Sequence, residues 1–363
     1  MFYVFPKSYC LRSLRKEAEK KLSMLLENPM SQEMGMMQKD GDDYENEVPE
    51  ESYSLPYHNN QTTNSANGDV MLKIDPVPLR EEQKFPQEKW KTFIAFLLLV
   101  ANFILATVSL ALVHERLPNY KPLPDIFLDN VNPQDWALNV SEVLIMITVN
   151  FCILLVILHK HRYIVMRRIF LIVALLYFMR SITMYVTVLP VSSTTYYCSP
   201  KTNSTSPLVL AKKVFQLLSG FGLSINGKHT YCGDYIYSGH TVILVLGYLI
   251  IAEYSPRRFY VLHWSAWLSA LVGVIFVLIA HGHYTIDVLI AYYVTTRMFW
   301  TYHTLANNSS LMKSTATNYL SREWWFTYFK YFEKNIKAPV PRQYEWPLPW
   351  PRQLHSKLPN RES

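Results

Sequence analysis

Two histidines and one aspartate are of the residue types needed for covalent group transfer. His240 lies in the segment 238–241, Ser-Gly-His-Thr, and His283 precedes Asp287 by four residues. A neutral imidazole is a nucleophile near pH 7, and a carboxylate one helical turn away can fix its tautomer. We therefore expect His283 to act as the nucleophile, Asp287 to orient it, and His240 to serve as general acid and then general base. Such a set suits phosphoryl transfer through a covalent intermediate.

Two other interpretations of these residues stay open at this point. Ser238 could cap a helix, which would leave His240 as an interfacial residue. His281, His283 and Asp287 could instead bind a metal ion, but histidines two residues apart diverge on a helix. We expect neither a metal nor an organic cofactor. A carboxylate inside an apolar span is costly in a membrane and marks function, which favours the catalytic interpretation.

Long apolar runs must position these residues. Half of the 363 side chains are hydrophobic, and they are concentrated in runs that approach the roughly 20 residues needed to cross a bilayer. The sequence therefore predicts an all-α membrane protein with six transmembrane helices. The predicted spans cover residues 92–113, 143–158, 169–189, 235–252, 260–280 and 285–302.

Basic residues in two short loops predict the orientation of these spans. Residues 159–168 carry Lys160, Arg162, Arg167 and Arg168. Arg257 and Arg258 follow the fourth span. The positive-inside rule places both loops in the cytosol, and six spans then place both chain ends there. His240 and His283 would begin their spans at the same lumenal or extracellular face.

Three regions follow from this topology. Residues 1–89 are predicted to be a cytosolic tail, mostly disordered because it is acidic and polar, with one short amphipathic helix at 11–25. Residues 90–303 would form the six-span catalytic domain. Residues 304–363 would form a cytosolic tail, in which the aromatic and basic stretch 324–334 either lies in the membrane interface or packs as a short helix.

Cysteines, sequons and charge supply further expectations. Cys198 and Cys232 share the loop 190–234, and we predict that they form a disulfide in an oxidising compartment. Asn139 and Asn203 begin sequons on the predicted lumenal side. The net charge of +7 comes without a glycine-rich phosphate loop or a basic stripe with interleaved aromatic residues. We therefore expect no nucleic-acid partner.

Four blocks of the sequence resemble the sphingomyelin synthase family, which is related to the lipid phosphate phosphatases. They lie between about Trp90 and Trp350 and comprise Cys232–Thr241, His283–Val288 with its continuation to Tyr302 and His303, Arg180–Pro190, and Val113–Arg116. The resemblance implies phosphocholine transfer from phosphatidylcholine to ceramide through a phosphohistidine-type intermediate. It places His240, His283 and Asp287 on the catalytic triad of the family, and it implies a multi-pass protein of the Golgi, the plasma membrane or both.

The resemblance also frames the substrate site. Asp234, Arg180 and Tyr284 are expected to bind substrate, with Asp234 and nearby aromatic rings receiving the choline cation. The family usually has an acidic residue between the histidines that correspond to His281 and His283, where this chain has Gly282. Ceramide phosphoethanolamine synthesis, phospholipase C-like hydrolysis and non-catalytic lipid binding or transport therefore stay open as alternatives. Association into a homo-oligomer is compatible with the sequence.

Overall fold

The fold of the described residues is built from α-helices. The computed structural model describes residues 85–193, 198–201, 207–219, 231–315, 317–336 and 338–346. No strand forms in these ranges, where the only extended pairing is an isolated bridge between His159 and Tyr344. The helices are α1 (Lys89–Arg116), α2 (Asp135–Leu158), α3 (Arg162–Val186), α4 (Pro207–Ser219), α5 (Gly239–Tyr254), α6 (Tyr260–Ile279), α7 (Thr285–Asn307) and α8 (Phe326–Glu333).

Four of these helices, α1, α2, α3 and α6, are long and apolar enough to cross a membrane. The chain is therefore a multi-pass membrane protein by the length and composition of its helices. Helix α5 is also apolar, but its 16 residues reach only about 24 Å, which is short of a bilayer core of about 30 Å. Helix α7 is diluted by polar residues such as Asp287 and Arg297. All six predicted spans correspond to helices, while crossing by α5 and α7 stays a prediction.

Helix ends meet at two opposite ends of the bundle. At the end that we call the site end, Thr183 Oγ1 of α3 donates to the Ile236 carbonyl at 2.6 Å. There the backbone N–H of Ser238, before α5, also donates to the Asp287 carbonyl of α7 at 3.3 Å. At the other end, the far end, Thr92 of α1 donates to a backbone carbonyl of α3 at 2.9 Å. Consecutive long helices therefore run in alternating directions.

Helix α8 closes the far end. Arg168 of α3 makes two hydrogen bonds to the carboxylate of Glu333, at 3.0 and 2.7 Å, and the Tyr302 hydroxyl of α7 donates to the same carboxylate at 3.1 Å. The aromatic side chains around α8 divide into a buried set, Trp325, Phe326, Phe329 and Phe332, and an exposed set, Trp324, Tyr328 and Tyr331. A short packed helix, one of the two alternatives for this stretch, is therefore present, and contact of its exposed side with the membrane interface stays a prediction.

The long loop before α5 contains more structure than we predicted. Helix α4 packs against α1, and Lys213 of α4 forms an ion pair with Glu115 near the end of α1. The disulfide predicted between Cys198 and Cys232 is present. It fixes the end of this loop beside His114, whose Nδ1 accepts from the backbone N–H of Cys232 at 3.1 Å.

Some predictions fall beyond the described residues. The tail helix at 11–25, the disordered segment around it and the sequon at Asn203 all lie outside the described ranges. Asn139 of the other sequon is exposed on α2. The three-region division of the chain stays a prediction.

Candidate active site

The two sequence blocks that contain the histidines are joined by one carboxylate. Asp287 Oδ1 accepts from the backbone N–H of Ile236 at 3.0 Å, and its Oδ2 accepts from the backbone N–H of Tyr284 at 3.0 Å. The second bond caps the first turn of α7, where four backbone N–H groups have no partner within the helix. The first bond reaches across to the segment before α5. Asp287 therefore fixes the backbones that carry both histidines.

The N-terminus of α5 has its own cap, which places the second histidine. The Ser238 side chain accepts from the backbone N–H of Thr241 at 3.3 Å, so the helix begins immediately before His240. The capping role that we considered for Ser238 is thus present. It is compatible with a catalytic His240, because the cap holds the residue at the helix start.

His240 and His283 lie side by side, and each has a carboxylate on its outer side. His283 Nε2 is 3.4 Å from His240 Nδ1, and the ring centroids are 5.6 Å apart. On the outer sides, His283 Nδ1 is 3.9 Å from Asp287 Oδ2, and His240 Nε2 is 3.6 Å from Glu142 Oε1. The four side chains form a row, Glu142, His240, His283 and Asp287. The structure thus brings together all three predicted catalytic residues and adds Glu142, which sequence reasoning missed.

The outer nitrogens of this row are poised for new contacts. His240 Nε2 and His283 Nδ1 are buried and make no hydrogen bond in the described part of the chain, since the flanking carboxylates are slightly too distant. A buried polar group without a hydrogen bond costs about 1–3 kcal/mol of stability. Such groups are typical of sites that bind a ligand. The row can therefore tighten when substrate binds.

Burial also sets the charge of His283, which lies in the loop between α6 and α7. Burial lowers the pKa of His283 to about 3, although the charge of Asp234 acts in the opposite direction. The ring is then neutral near pH 7. A neutral imidazole retains the lone pair that attacks phosphorus.

The spacing between the rings constrains how a phosphate could be received. Reacting atoms start about 3–3.5 Å apart, so a phosphorus atom flanked by two imidazoles needs more room than the observed 3.4 Å between nitrogens. A ring must therefore shift, or the phosphorus must approach His283 from beside His240. Either route starts from the cavity next to His240.

This cavity joins polar and apolar walls. Arg180 and Asp234 form an ion pair at its edge, and Arg180 Nε also donates to the Tyr237 carbonyl at 3.1 Å. Gly239 makes this position possible, because a Cβ there would lie 2.9 Å from the guanidinium. Besides Arg180, Asp234, Gly239 and His240, the cavity is lined by Phe103, Ala106, Thr107, Leu110, Ile145, Tyr177, Leu217 and Ile243. A charged edge over an apolar interior suits an amphipathic lipid.

Tyr284 is placed differently from the other two predicted substrate-binding residues. It is buried, its hydroxyl donates to the Pro190 carbonyl and accepts from the backbone N–H of Leu123, both at 3.1 Å, and its ring packs against Tyr235. It is not among the residues that line the cavity in the described ranges. Its contacts indicate that it holds in place the loop between α6 and α7, which carries His283.

A second bracing contact comes from the loop that connects α1 and α2. Asp125 accepts from the backbone N–H of Thr285 at 2.8 Å and from its hydroxyl at 2.7 Å. Burial alone would raise the pKa of Asp125, but these hydrogen bonds lower it overall. Asp125 therefore stays ionised and holds the start of α7. Sequence reasoning missed this residue.

His281 makes a contact of its own with this same loop. Its Nε2 lies 2.8 Å from the Val131 carbonyl. Within the residues that the structure describes, no group of three His, Cys, Asp or Glu side chains is arranged to hold a metal ion.

Known proteins share this arrangement of sequence. Residues 231–304, which include both histidines and Asp287, match the family model described as PAP2 superfamily C-terminal. The chain is 47% identical to human phosphatidylcholine:ceramide cholinephosphotransferase 1 over 307 residues. These residues are 84% of this chain and 74% of the relative. This chain belongs to the sphingomyelin synthase family. Mouse phosphatidylcholine:ceramide cholinephosphotransferase 2 is 48% identical over 278 residues, or 76% of each chain.

The family resemblance read from the sequence is thus confirmed, and one departure from the pattern can be examined. Gly282 lies between His281 and His283, where the family pattern predicts an acidic residue. A Cβ at Gly282 would make only ordinary contacts, at 3.6 Å from the Val277 carbonyl and 3.7 Å from Leu138. Packing around the site therefore leaves room for a side chain at this position.

Proposed function

We propose that this chain transfers phosphocholine from phosphatidylcholine to the primary hydroxyl of ceramide, which gives sphingomyelin and diacylglycerol. Membership of the sphingomyelin synthase family supports the overall reaction. The observation that carries the mechanism is the pair His240 and His283, 3.4 Å apart and flanked by Glu142 and Asp287, beside a cavity with a charged edge.

In the first half-reaction His283 Nε2 attacks the phosphorus of phosphatidylcholine. The phosphorus–oxygen bond to diacylglycerol breaks, and His240 gives a proton to the leaving oxygen. Asp287, beside His283 Nδ1, stabilises the positive charge that develops on the ring. Glu142 Oε1 is 3.6 Å from His240 Nε2, on the side of the ring away from His283.

In the second half-reaction the covalent phosphocholine is passed to ceramide. His240, now neutral, takes the proton from the primary hydroxyl as its oxygen attacks phosphorus, and the phosphorus–nitrogen bond to His283 breaks. Arg180 is placed to contact the phosphate, and Asp234, the more exposed partner of the ion pair, to contact the choline cation. Exclusion of water at the buried His283 favours transfer over hydrolysis.

The proposed location follows from the basic far end. Basic residues follow the ends of α2 and α5 at this end, so we place it in the cytosol together with both chain ends, with α5 and α7 crossing as the fourth and sixth spans. The active site would then face the lumen of the Golgi or the exterior of the plasma membrane. A tag at each chain end, probed with antibody before and after detergent treatment, tests this orientation.

The reaction is tested by incubating the purified chain with labelled ceramide and either phosphatidylcholine or phosphatidylethanolamine. We expect labelled sphingomyelin from the choline lipid. Product with an ethanolamine headgroup alone would favour the ethanolamine enzyme. Diacylglycerol release that does not depend on ceramide, beyond the first turnover, would favour hydrolysis.

The covalent intermediate has a separate test. With choline-labelled phosphatidylcholine and no ceramide, the enzyme should release about one diacylglycerol per site in a burst and retain the label. The label should be stable in alkali and labile in acid, as expected for a phosphorus–nitrogen bond. His283→Ala should show neither burst nor label, and retention of the label in this variant would reassign the nucleophile.

A further inference from the structure

Helix α4 connects the cavity beside His240 to the outer surface of the protein. Leu217 on its inner side is buried and lines the cavity together with His240 and Arg180. The outer side carries a stripe of exposed residues at helical spacing, which comprises Leu208, Ala211, Lys212 and Phe215. The side chains of Leu208 and Phe215 are 81% and 73% exposed. One short helix therefore has an apolar surface on each side.

The position of α4 identifies what covers its outer stripe. The helix packs on α1 and is anchored by the ion pair of Lys213 with Glu115, one residue before the last residue of that apolar span. Gln216 adds an anchor on the inner side, where it accepts from the Tyr231 hydroxyl at 2.8 Å. The stripe is therefore at the level where α1 leaves the membrane. Helix α1 itself also exposes apolar side chains, which include Ile104 and Leu105.

An apolar stripe with one lysine at this level suits the interface of a lipid bilayer, where the stripe contacts acyl chains and the lysine reaches the headgroups. The cavity on the other side of α4 runs from the charged pair Arg180 and Asp234 to Phe103, in the middle of α1. A lipid with its phosphate beside His240 would extend an alkyl chain along this wall, past Leu217.

We propose that α4 is an interfacial helix in the leaflet that supplies substrate, and that Leu217 on its inner side is a specificity-determining residue for the length of a substrate alkyl chain. This inference rests on the proposed lipid transfer. The outer stripe holds the helix in the leaflet, and the inner leucine limits the room beside the reacting phosphate.

Chain-length kinetics test the role of Leu217. The full-length protein and the variants Leu217→Trp, Leu217→Ala and Leu208→Trp are assayed with ceramides of short and long N-acyl chain at fixed phosphatidylcholine, and then with phosphatidylcholines of short and long chain at fixed ceramide. Leu217→Trp should lower kcat/KM about tenfold for the long-chain form of one lipid and less than about twofold for its short-chain form. The arm that responds identifies which lipid uses this wall.

The other two variants keep this test decisive. Leu217→Ala enlarges the same wall and should shift preference towards longer chains, which gives a readout even if the tryptophan variant fails to fold. Leu208→Trp, on the outer stripe of the same helix, should leave chain preference unchanged. Equal effects on short and long chains for both lipids, or a shift with Leu208→Trp, would overturn the assignment. If the unaltered chain makes no sphingomyelin, the proposed function itself fails.

Fluorescence quenching tests the interfacial position. Phe215→Cys and Gln216→Cys are labelled with an environment-sensitive dye in a Cys10→Ser background and reconstituted in phosphatidylcholine vesicles that contain a spin-labelled lipid. Quenching at position 215 should exceed that at position 216 by about threefold, because only the outer stripe contacts lipid. Equal quenching at the two positions would place the stripe in water and contradict an interfacial helix.

Discussion

Two buried polar clusters, one at each end of the helix bundle, differ in how far their hydrogen bonds are satisfied. At the far end, every oxygen of the Glu333 carboxylate has a partner, from Arg168 at 3.0 and 2.7 Å and from Tyr302 at 3.1 Å. At the site end, His240 and His283 each keep a buried nitrogen without a hydrogen bond in the described part of the chain, with the nearest carboxylates at 3.6 and 3.9 Å. The Glu333 carboxylate is saturated, whereas the histidine pair retains binding capacity.

The difference shows how this fold combines a fixed backbone with reactive side chains. The carboxylate oxygens of Asp287 and Asp125 accept hydrogen bonds from backbone N–H groups of the site end. The donors are Ile236, Tyr284 and Thr285, and these bonds hold the loops at the site end firmly. The imidazole nitrogens are left to the substrate. A saturated ion pair stabilises one packing arrangement, whereas unsatisfied nitrogens gain most when a ligand or a developing charge arrives.

Removing the proposed nucleophile should produce the largest effect at the site end. His283→Ala should lower sphingomyelin formation by about 10³- to 10⁴-fold per folded molecule, because both half-reactions need the phosphorus–nitrogen bond. Turnover of labelled ceramide with phosphatidylcholine measures this loss. His263→Ala is the matched control at the far end, where His263 contacts Ser255 at 2.5 Å. Similar losses in both variants would show that the histidine pair has no special role.

Breaking the saturated pair should instead affect stability. Glu333→Leu leaves Arg168 buried without its partner and should lower the free energy of unfolding by about 3 kcal/mol. The double variant Arg168→Met with Glu333→Leu should recover to within about 1 kcal/mol of the unaltered protein, because the buried charge is removed. Denaturant unfolding in detergent gives the energies. Turnover per folded molecule should stay unchanged, and a selective loss of turnover would link the far end to catalysis.

An intermediate effect is expected where bracing meets chemistry. Asp125→Ala removes the carboxylate that accepts hydrogen bonds from Thr285 at the start of α7. It should lower kcat about tenfold with little change in KM, because the loop that carries His283 loses its alignment. Lys121→Ala, in the same loop and exposed, should have no such effect. Thr285→Val removes one of the two bonds, and combining it with Asp125→Ala should add little. Fully additive losses would mean that Asp125 acts elsewhere.

The sequence predicted most of the candidate site but not the residues that support it. His240, His283 and Asp287 stand at helix starts within two short blocks, so local spacing and the membrane topology together predicted that they meet. Glu142 was missed because the second span was predicted to begin at residue 143, whereas α2 begins at Asp135. With the earlier start, Glu142 would have been recognised as a buried carboxylate in an apolar helix, the same signal that identified Asp287.

Other features had weaker signals in the sequence. Asp125 lies in an irregular loop, and only the folded chain brings it to Thr285. Helix α4 could have been predicted from the helical spacing of Leu208, Ala211 and Phe215, but this apolar pattern is short and lies within a long loop. Tyr284 was expected to contact substrate because aromatic rings bind cations, yet neighbouring backbone groups hold its hydroxyl.

The smallest expected effect comes from the cap that starts α5. Ser238→Ala removes the acceptor for the Thr241 N–H, and loss of such a cap costs about 1 kcal/mol of stability. Because Asp287 also ties this segment through the Ser238 N–H, which alanine retains, the position of His240 should survive. We therefore expect a lower unfolding free energy with turnover within about twofold of normal. A turnover loss as large as that of Asp125→Ala would show that the cap, and not the bond from the Ser238 N–H to the Asp287 carbonyl, positions this histidine.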